Sequence, residues 1–341
     1  MNGGRVAAIT HWKKLRAVLA VALTLACGFY LVGQVRASWG EFQSLEWGLS
    51  TIAALLAAAL VHLGMSVLEA WYWARLLREI GVPAQTRSAL GIFAVSQFAK
   101  YLPGNVAQHV GRVTLAREAG FQTGRVTLTL ALEMAFTLGS AAAIAVSSGL
   151  TPLLGDALGA AGLTTATLAT LLAWVMGTFA LKLLLARPPA RLRRFLALAP
   201  KAGRRGLNLR VQFLAEYFLI HLASYCALGV TFVLLLRAIS GQMPQQAYLL
   251  PAVVTLAFLA GFLVPGAPAG LGVREAALSA MLAPTLGTSL VLSAAALWRL
   301  AHILSDVSLL ALGLLLRRQG RDVSRREFLE ETSAKTERSP D

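Results

Sequence analysis

Charge is scarce in this sequence. Only 14% of its 341 residues are Asp, Glu, Lys or Arg, where a soluble domain carries about 25%. Such a chain cannot clothe a large water-facing surface, and its 57% apolar content assigns it to a bilayer. Cysteine is nearly absent: Cys27 and Cys226 both stand inside apolar runs, which excludes a disulfide framework or a CxxC zinc site and leaves them as packing residues. Acids number 16 against 31 Lys plus Arg, a formal charge of +15. No basic face interleaved with aromatics goes with that excess, so nucleic acid is excluded as a partner. The basic residues sit in short segments beside apolar runs, where anionic headgroups and the positive-inside rule account for them. The 30 Gly and 12 Pro are spread through apolar runs, which excludes a long disordered stalk.

Motifs of catalysis are missing as well. No GxxxxGK[ST], HExxH or GxSxG occurs, and the segment "RASWGEFQSLEWG" holds two separated glutamates instead of a clustered acidic pair. No metal, cofactor or enzymatic activity is therefore expected. Any driving force must come from a gradient, a partner or downhill exchange.

What the sequence does have is long apolar runs. About 20 apolar residues cross a bilayer as a helix, the form that satisfies every backbone group in lipid. Six runs qualify, at roughly 17–35, 49–73, 125–149, 161–185, 211–236 and 286–316. The first follows "HWKKLR" but is longer than a signal-peptide core, so it is read as a retained span. Two further apolar segments, 88–120 and 247–283, are broken near their middles by "YLPGNVAQHVGR" and "FLVPGAPAGLGVR". Pro removes a backbone donor and clashes with the preceding turn, and a broken helix at membrane depth survives only against protein or a wet cavity. Both segments are read as re-entrant hairpins or discontinuous helices. The expected fold is an all-α polytopic transmembrane bundle of six full spans and two broken hairpins, about eight membrane helices by another count, and eight crossings or ten both fit the charge parity.

Basic residues set the orientation. They cluster before residue 17, at Arg75, Arg78 and Arg87, in 187–210 with eight and no acid, and from 317 onward with seven; elsewhere between spans stand only Arg36 and Arg237. The alternation places both termini in the cytoplasm. The expected organisation is a basic terminus 1–16, a transmembrane domain 17–316 with a cytoplasmic loop at 187–210, and a charged tail 317–341. The halves 17–149 and 161–316 would each hold two spans, a broken hairpin and a third span of opposite sense, the inverted-repeat plan of transporters. Pro103, Gly104 and Arg112 recur at Pro265, Gly266 and Arg274 with one constant offset.

Glu69, Glu133, Glu216, Glu275, Asp306, Arg274, Arg299, Lys100 and Arg112 lie in or near apolar runs. Facing lipid, together they would cost on the order of 20 kcal/mol. Most must face one another or a wet interior. Arg299, His302 and Asp306 fall at i, i+3 and i+7 on one helix face, forming either a polar track or an internal Arg–Asp pair; His62 and Glu69 share a face in the same way. His221 and Glu216, five apart, lie on different faces, and His221 is read as a core residue. Arg112 and Arg274 each follow a helix-breaking Pro by nine residues, where a helix amino terminus and a guanidinium together attract phosphate. The alternative for Arg274 is a pair with Glu69 or Glu133, and for Lys100 a snorkelling position at the interface. Trp12, Trp39, Trp47, Trp71, Trp73 and Trp298 fall mostly near span ends, as an interfacial belt requires.

The run "FLVPGAPAGLGVREAALSAMLAP", with "SQFAKYLPGNVAQHVGRVTLAREAG", resembles the membrane region of lysylphosphatidylglycerol synthases and their stand-alone, flippase-like relatives, over about residues 15–317. The resemblance implies a polytopic inner-membrane protein that handles phospholipids or lipid-linked intermediates. Its motif positions are Pro103, Gly104, Gly111 and Arg112, then Pro265, Gly266, Pro268, Gly270, Gly272, Arg274 and Glu275. Those synthases also carry a large cytosolic aminoacyl-transferase domain, whereas only "RRQGRDVSRREFLEETSAKTERSPD" follows the last span here. The expected function is lipid transport. Arg112 and Arg274 would hold an anionic or lipid-linked substrate; Glu69, Glu133, Glu275 and Asp306, beside Arg299 and His302, would counter a cationic headgroup or relay protons. The competing readings are an accessory subunit working with a partner enzyme and an intramembrane lipid-acting enzyme.

Overall fold

The computed structural model describes residues 47–102, 106–145, 182–196, 209–244, 247–264 and 268–337, a few positions in 33–43 and 172–179, and Leu207, with side chains as far as Arg318. The expected spans at 17–35 and 161–185 lie largely outside these residues, as do Pro103, Gly104, Pro265 and Gly266. Among the described residues every regular element is helical. A short α1 (Trp39–Gln43) precedes α2 (Leu49–Glu79), α3 (Thr86–Gln97), α4 (Ala107–Glu118), α5 (Thr123–Ile144), α6 (Ala190–Phe195), α7 (Val211–Ser240), α8 (Leu250–Leu263), α9 (Val273–Leu286) and α10 (Thr288–Glu337).

Four of these are long and apolar enough to cross a membrane: α2, α5, α7 and the Thr288–Arg318 part of α10. The protein is an all-α multi-pass bundle. The two interrupted segments are each a pair of short helices, α3 with α4 and α8 with α9, of 12 and 14 residues per helix. At 1.5 Å per residue each reaches roughly 18–21 Å, short of a ~30 Å hydrocarbon core. A 3₁₀ turn at Phe98–Tyr101 ends α3 and another at Pro268–Gly270 precedes α9. These two turns pack on one another, so the two breaks meet inside the bundle.

Sequence chemistry fixes the ends. After α2, Gly81 adopts φ 78° while the Val82 N–H reaches back 2.8 Å to the Leu77 carbonyl, closing the helix. Arg125 then donates to the Ile80 and Gly81 carbonyls left over. The second break is tighter: Ala269 (φ 48°), Gly270 (φ 74°) and Gly272 (φ 75°) are all left-handed. Glycine takes that conformation freely, but Ala269 is strained there, a state that persists only where surrounding packing imposes it.

Among the described residues two large apolar cores form, beside a small cluster of Ala141, Ile144, Tyr225 and Ala252. One joins Trp73, Phe93, Leu132, Phe136, Phe213 and Tyr217 from α2, α3, α5 and α7. The other joins Leu55, Phe232, Val254, Leu278, Val291 and Leu297 from α2, α7, α8, α9 and α10. Helices α2 and α7 run through both, and their middles lie between the cores. Close approach is set by small residues: a Cβ on Gly229 of α7 would stand 2.3 Å from the Pro251 Cα at the start of α8. Alanine normally gains ~1 kcal/mol over glycine in a helix; Gly229→Ala is expected instead to destabilise by about 1–3 kcal/mol through overpacking, read as a fall in unfolding temperature in detergent.

Two sequence expectations need correction. Trp73 and Trp298 are not interfacial anchors: they are 0% and 3% exposed. Their indole N–H groups reach the Thr129 and Thr231 hydroxyls at 2.9 and 3.3 Å, which is what lets a tryptophan sit in a core. Trp39, Trp47 and Trp71 do face outward. Cys226, expected to pack, is exposed on α7.

Candidate functional site

The stretch of α2 between the cores carries His62, Met65, Ser66 and Glu69, and that of α7 carries His221, Ser224, Tyr225 and Leu228, each set spaced i, i+3, i+4, i+7 along one face. The two faces enclose a cavity of about 220 Å³. Its remaining wall comes from both broken pairs, through Gln97, Lys100, Tyr101, His109, Ala269, Arg274 and Glu275, and from α5 and α10. His62 to Glu69 lie near the midpoint of a 31-residue helix, so the polar cavity sits level with the middle of that helix.

Helix α10 is the post to which both breaks are tied. Asp306, 5% exposed, accepts from Lys100 Nζ at 2.8 Å and from the Tyr101 hydroxyl, fastening the first 3₁₀ turn. Arg299 pairs with Glu275, fastening the start of α9. The same Glu275 accepts the Gly272 N–H at 2.8 Å, the carboxylate half of a capping box, so one side chain both starts α9 and latches it. Lys100 is thus held by a carboxylate. Arg299 and Asp306 do not pair with each other, although with His302 they share the cavity-facing side of α10.

Between the latches the His302 ring lies 3.8 Å, centroid to centroid, from the His62 ring. His302 Nδ1 is 2.8 Å from the Trp298 carbonyl and His221 Nδ1 is 2.9 Å from the Tyr217 carbonyl. A carbonyl only accepts, so each Nδ1 carries a proton. His221 is both buried and cavity-lining.

The two arginines of the constant offset occupy different settings. Arg112 is wholly buried and lies outside the cavity lining. Its Nη1 is 2.5 Å from Glu133, Nη2 3.3 Å from the Gln97 side-chain oxygen and Nε 3.3 Å from the Ser96 hydroxyl, and its guanidinium lies 4.0 Å from the Phe93 ring centroid. Arg274 lines the cavity and pairs with neither Glu69 nor Glu133. Its Nε is buried without a hydrogen-bond partner and its guanidinium lies 4.2 Å from the Phe258 centroid. Gly261 and Gly270 leave the slot it occupies, since a Cβ on either would stand 2.6 Å from its side chain. The cause is the helix start: α4 begins at Ala107 and α9 at Val273, so Arg112 lies in the second turn of its helix and Arg274 in the first.

The remaining candidates fall as follows. Glu69 takes the Ser224 hydroxyl at 2.8 Å, and Glu133 lines the cavity while holding Arg112. Glu216 is elsewhere, paired at 2.9 Å with Arg75 among Trp71, Tyr72 and Phe213. Gly111 lies within α4, while Gly270 and Gly272 shape the second break. Sequence reasoning passed over Ser224 and Tyr225, although a polar stripe on so apolar a helix was the available signal. No group of three His, Cys, Asp or Glu among the described residues is placed to hold a metal ion.

Long spans interleaved with broken pairs around a buried polar cavity are the setting for the comparison with known families. Residues 17–313 match the lysylphosphatidylglycerol synthase TM region. The chain belongs to that family. As a member of the lysylphosphatidylglycerol synthase TM-region family it is a polytopic membrane protein, matched to the transmembrane region and not to a transferase domain. Both broken pairs and every cavity-lining residue lie within the matched span. A search of curated proteins finds no match.

Proposed function

We propose that this protein moves a phospholipid or lipid-linked intermediate between the leaflets of the inner membrane. The observation that carries the reading is the cavity level with the middle of α2, walled by both broken pairs and containing Arg274 with no counter-ion among the described residues. A buried unpaired cation costs several kcal/mol, and a lipid phosphate entering the cavity would offset that cost through charge-assisted hydrogen bonds. The two broken pairs act as halves of an inverted repeat, with both termini cytoplasmic. Alternating access then has a physical handle in the latches on α10: releasing Lys100–Asp306 frees one break, and releasing Arg299–Glu275 frees the other.

The test is reconstitution into liposomes carrying a trace of acyl-chain NBD-labelled phospholipid, followed by dithionite quenching from outside. Protein-free vesicles should lose only the outer-leaflet signal, and vesicles with the protein nearly all of it. Quenching no deeper than in protein-free vesicles, for phosphatidylglycerol and phosphatidylethanolamine alike, would refute transport of membrane phospholipids.

A further inference from the structure

Among the described residues, seven ionisable carboxylate, lysine and arginine side chains line the cavity: Glu69, Lys100, Glu133, Arg274, Glu275, Arg299 and Asp306. Three ion pairs account for all but two of them, Lys100 with Asp306, Arg299 with Glu275, and Glu133 with Arg112 behind it. The two left over, Glu69 and Arg274, have opposite signs and do not pair with each other. Glu69 is hydrogen-bonded to Ser224 on α7, whereas Arg274 sits in the first turn of α9 beside Glu275, which Arg299 holds. The cavity therefore has a negative pole and a positive pole.

One strip of wall connects them. Ser224 donates to Glu69 Oε1 at 2.8 Å. The next residue, Tyr225, sets its ring edge-on to Phe258 at 5.8 Å, and Phe258 lies under the Arg274 guanidinium at 4.2 Å. Tyr225 is 4% exposed, faces the cavity, and its hydroxyl has no hydrogen-bond partner among the described residues. Buried hydroxyls are nearly always satisfied. Here the unsatisfied one belongs to the residue that follows the Glu69 donor Ser224 and packs on Phe258, the ring under Arg274.

We propose that the cavity recognises a zwitterion of the phosphoethanolamine type: a primary ammonium on Glu69, a phosphate on Arg274, and the Tyr225 hydroxyl donating to a phosphate oxygen. A dipolar ligand neutralises both leftover charges, whereas an anionic headgroup leaves Glu69 bare. Glu69 Oε2 holds no hydrogen bond among the described residues, and a primary ammonium supplies a donor for it that a quaternary one lacks. The proposal rests on the cavity being the substrate site of the transport reading and names that substrate's headgroup.

The experiment is equilibrium binding to the full-length protein in detergent, with dihexanoyl phosphatidylethanolamine, dihexanoyl phosphatidylcholine, dihexanoyl phosphatidylglycerol and free O-phosphoethanolamine as probes. Phosphatidylethanolamine should bind at least about tenfold tighter than phosphatidylglycerol or phosphatidylcholine, the ratio expected of one charged hydrogen bond. Glu69→Gln should abolish that preference by weakening phosphatidylethanolamine alone, and Arg274→Gln should weaken all the lipids. Tyr225→Phe should weaken phosphatidylethanolamine several-fold without lowering the unfolding temperature, because its hydroxyl has no partner among the described residues to lose. Equal or tighter phosphatidylglycerol binding in the unmodified protein, or an unchanged preference in Glu69→Gln of undiminished unfolding temperature, overturns the proposal. Should Glu69→Gln not fold, Ser224→Ala takes its place with the same criterion. Free O-phosphoethanolamine binding as tightly as the lipid would uphold the zwitterion site while overturning the lipid-transport reading; leaflet transport without headgroup preference would do the reverse.

Discussion

Replacing Arg112 by Ala should cost the protein about 3–5 kcal/mol of stability, the range found when one partner of a buried ion pair is removed. The guanidinium is 0% exposed and is held by Glu133, Gln97 and Ser96 between the rings of Phe93 and Trp73. Without it the Glu133 carboxyl loses the partner that holds it, and a void opens where α3, α4 and α5 meet. Thermal unfolding in detergent should report a transition lowered by many degrees. Arg112→Lys should recover only part of the loss, because an ammonium cannot reach three acceptors in the fork geometry of a guanidinium. Arg112→Met combined with Glu133→Gln should recover more than Arg112→Met alone, since the pair is then removed together. If Arg112→Ala unfolds like the parent protein, the guanidinium is not the tie between these helices.

Much of this architecture is legible in the sequence because bilayer physics leaves few choices. Helices α2, α5, α7 and α10 fall where apolar length demanded them, within a few residues at most ends. Each interrupted segment is two short helices, one on either side of its Pro-Gly pair. The clustering of charge was legible too, since nine ionisable groups could not all face lipid. The pairing was not. Periodicity places Arg299 and Asp306 on one face, but which carboxylate meets which cation depends on how α9 and the first 3₁₀ turn dock on α10, and those are contacts between elements distant in the chain.

The constant offset between the two Pro-Gly-Arg sets shows the same limit. In sequence Arg112 and Arg274 look equivalent. The second break contains a 3₁₀ turn and three left-handed residues before α9 begins, so its helix starts later relative to the Pro and its arginine stays in the first turn. Such a path depends on whether Gly270 and Gly261 can approach closely enough to form a slot, which spacing alone does not reveal. The tryptophans erred for a related reason: nearness to a span end says nothing about which side of the helix faces the bundle, and Thr129 and Thr231 draw two of them inward.

Arg274→Ala should have the opposite signature to Arg112→Ala. Its Nε has no hydrogen bond and its guanidinium no ion pair among the described residues, so removing it relieves a buried uncompensated charge and leaves no carboxylate bereft. The unfolding temperature should hold or rise. Translocation in the dithionite assay should fall by roughly ten- to a hundredfold, the equivalent of ~1.5–3 kcal/mol for a hydrogen bond to a charged group. Arg274→Lys should restore part of the rate, since a point charge still attracts phosphate but cannot bind it bidentately. Full-rate transport by Arg274→Ala removes the residue from the mechanism. A loss of transport accompanied by a fall in stability as large as that of Arg112→Ala assigns it a structural role instead. Only stability and transport moving apart identifies Arg274 as the cation the cavity holds ready for a lipid phosphate.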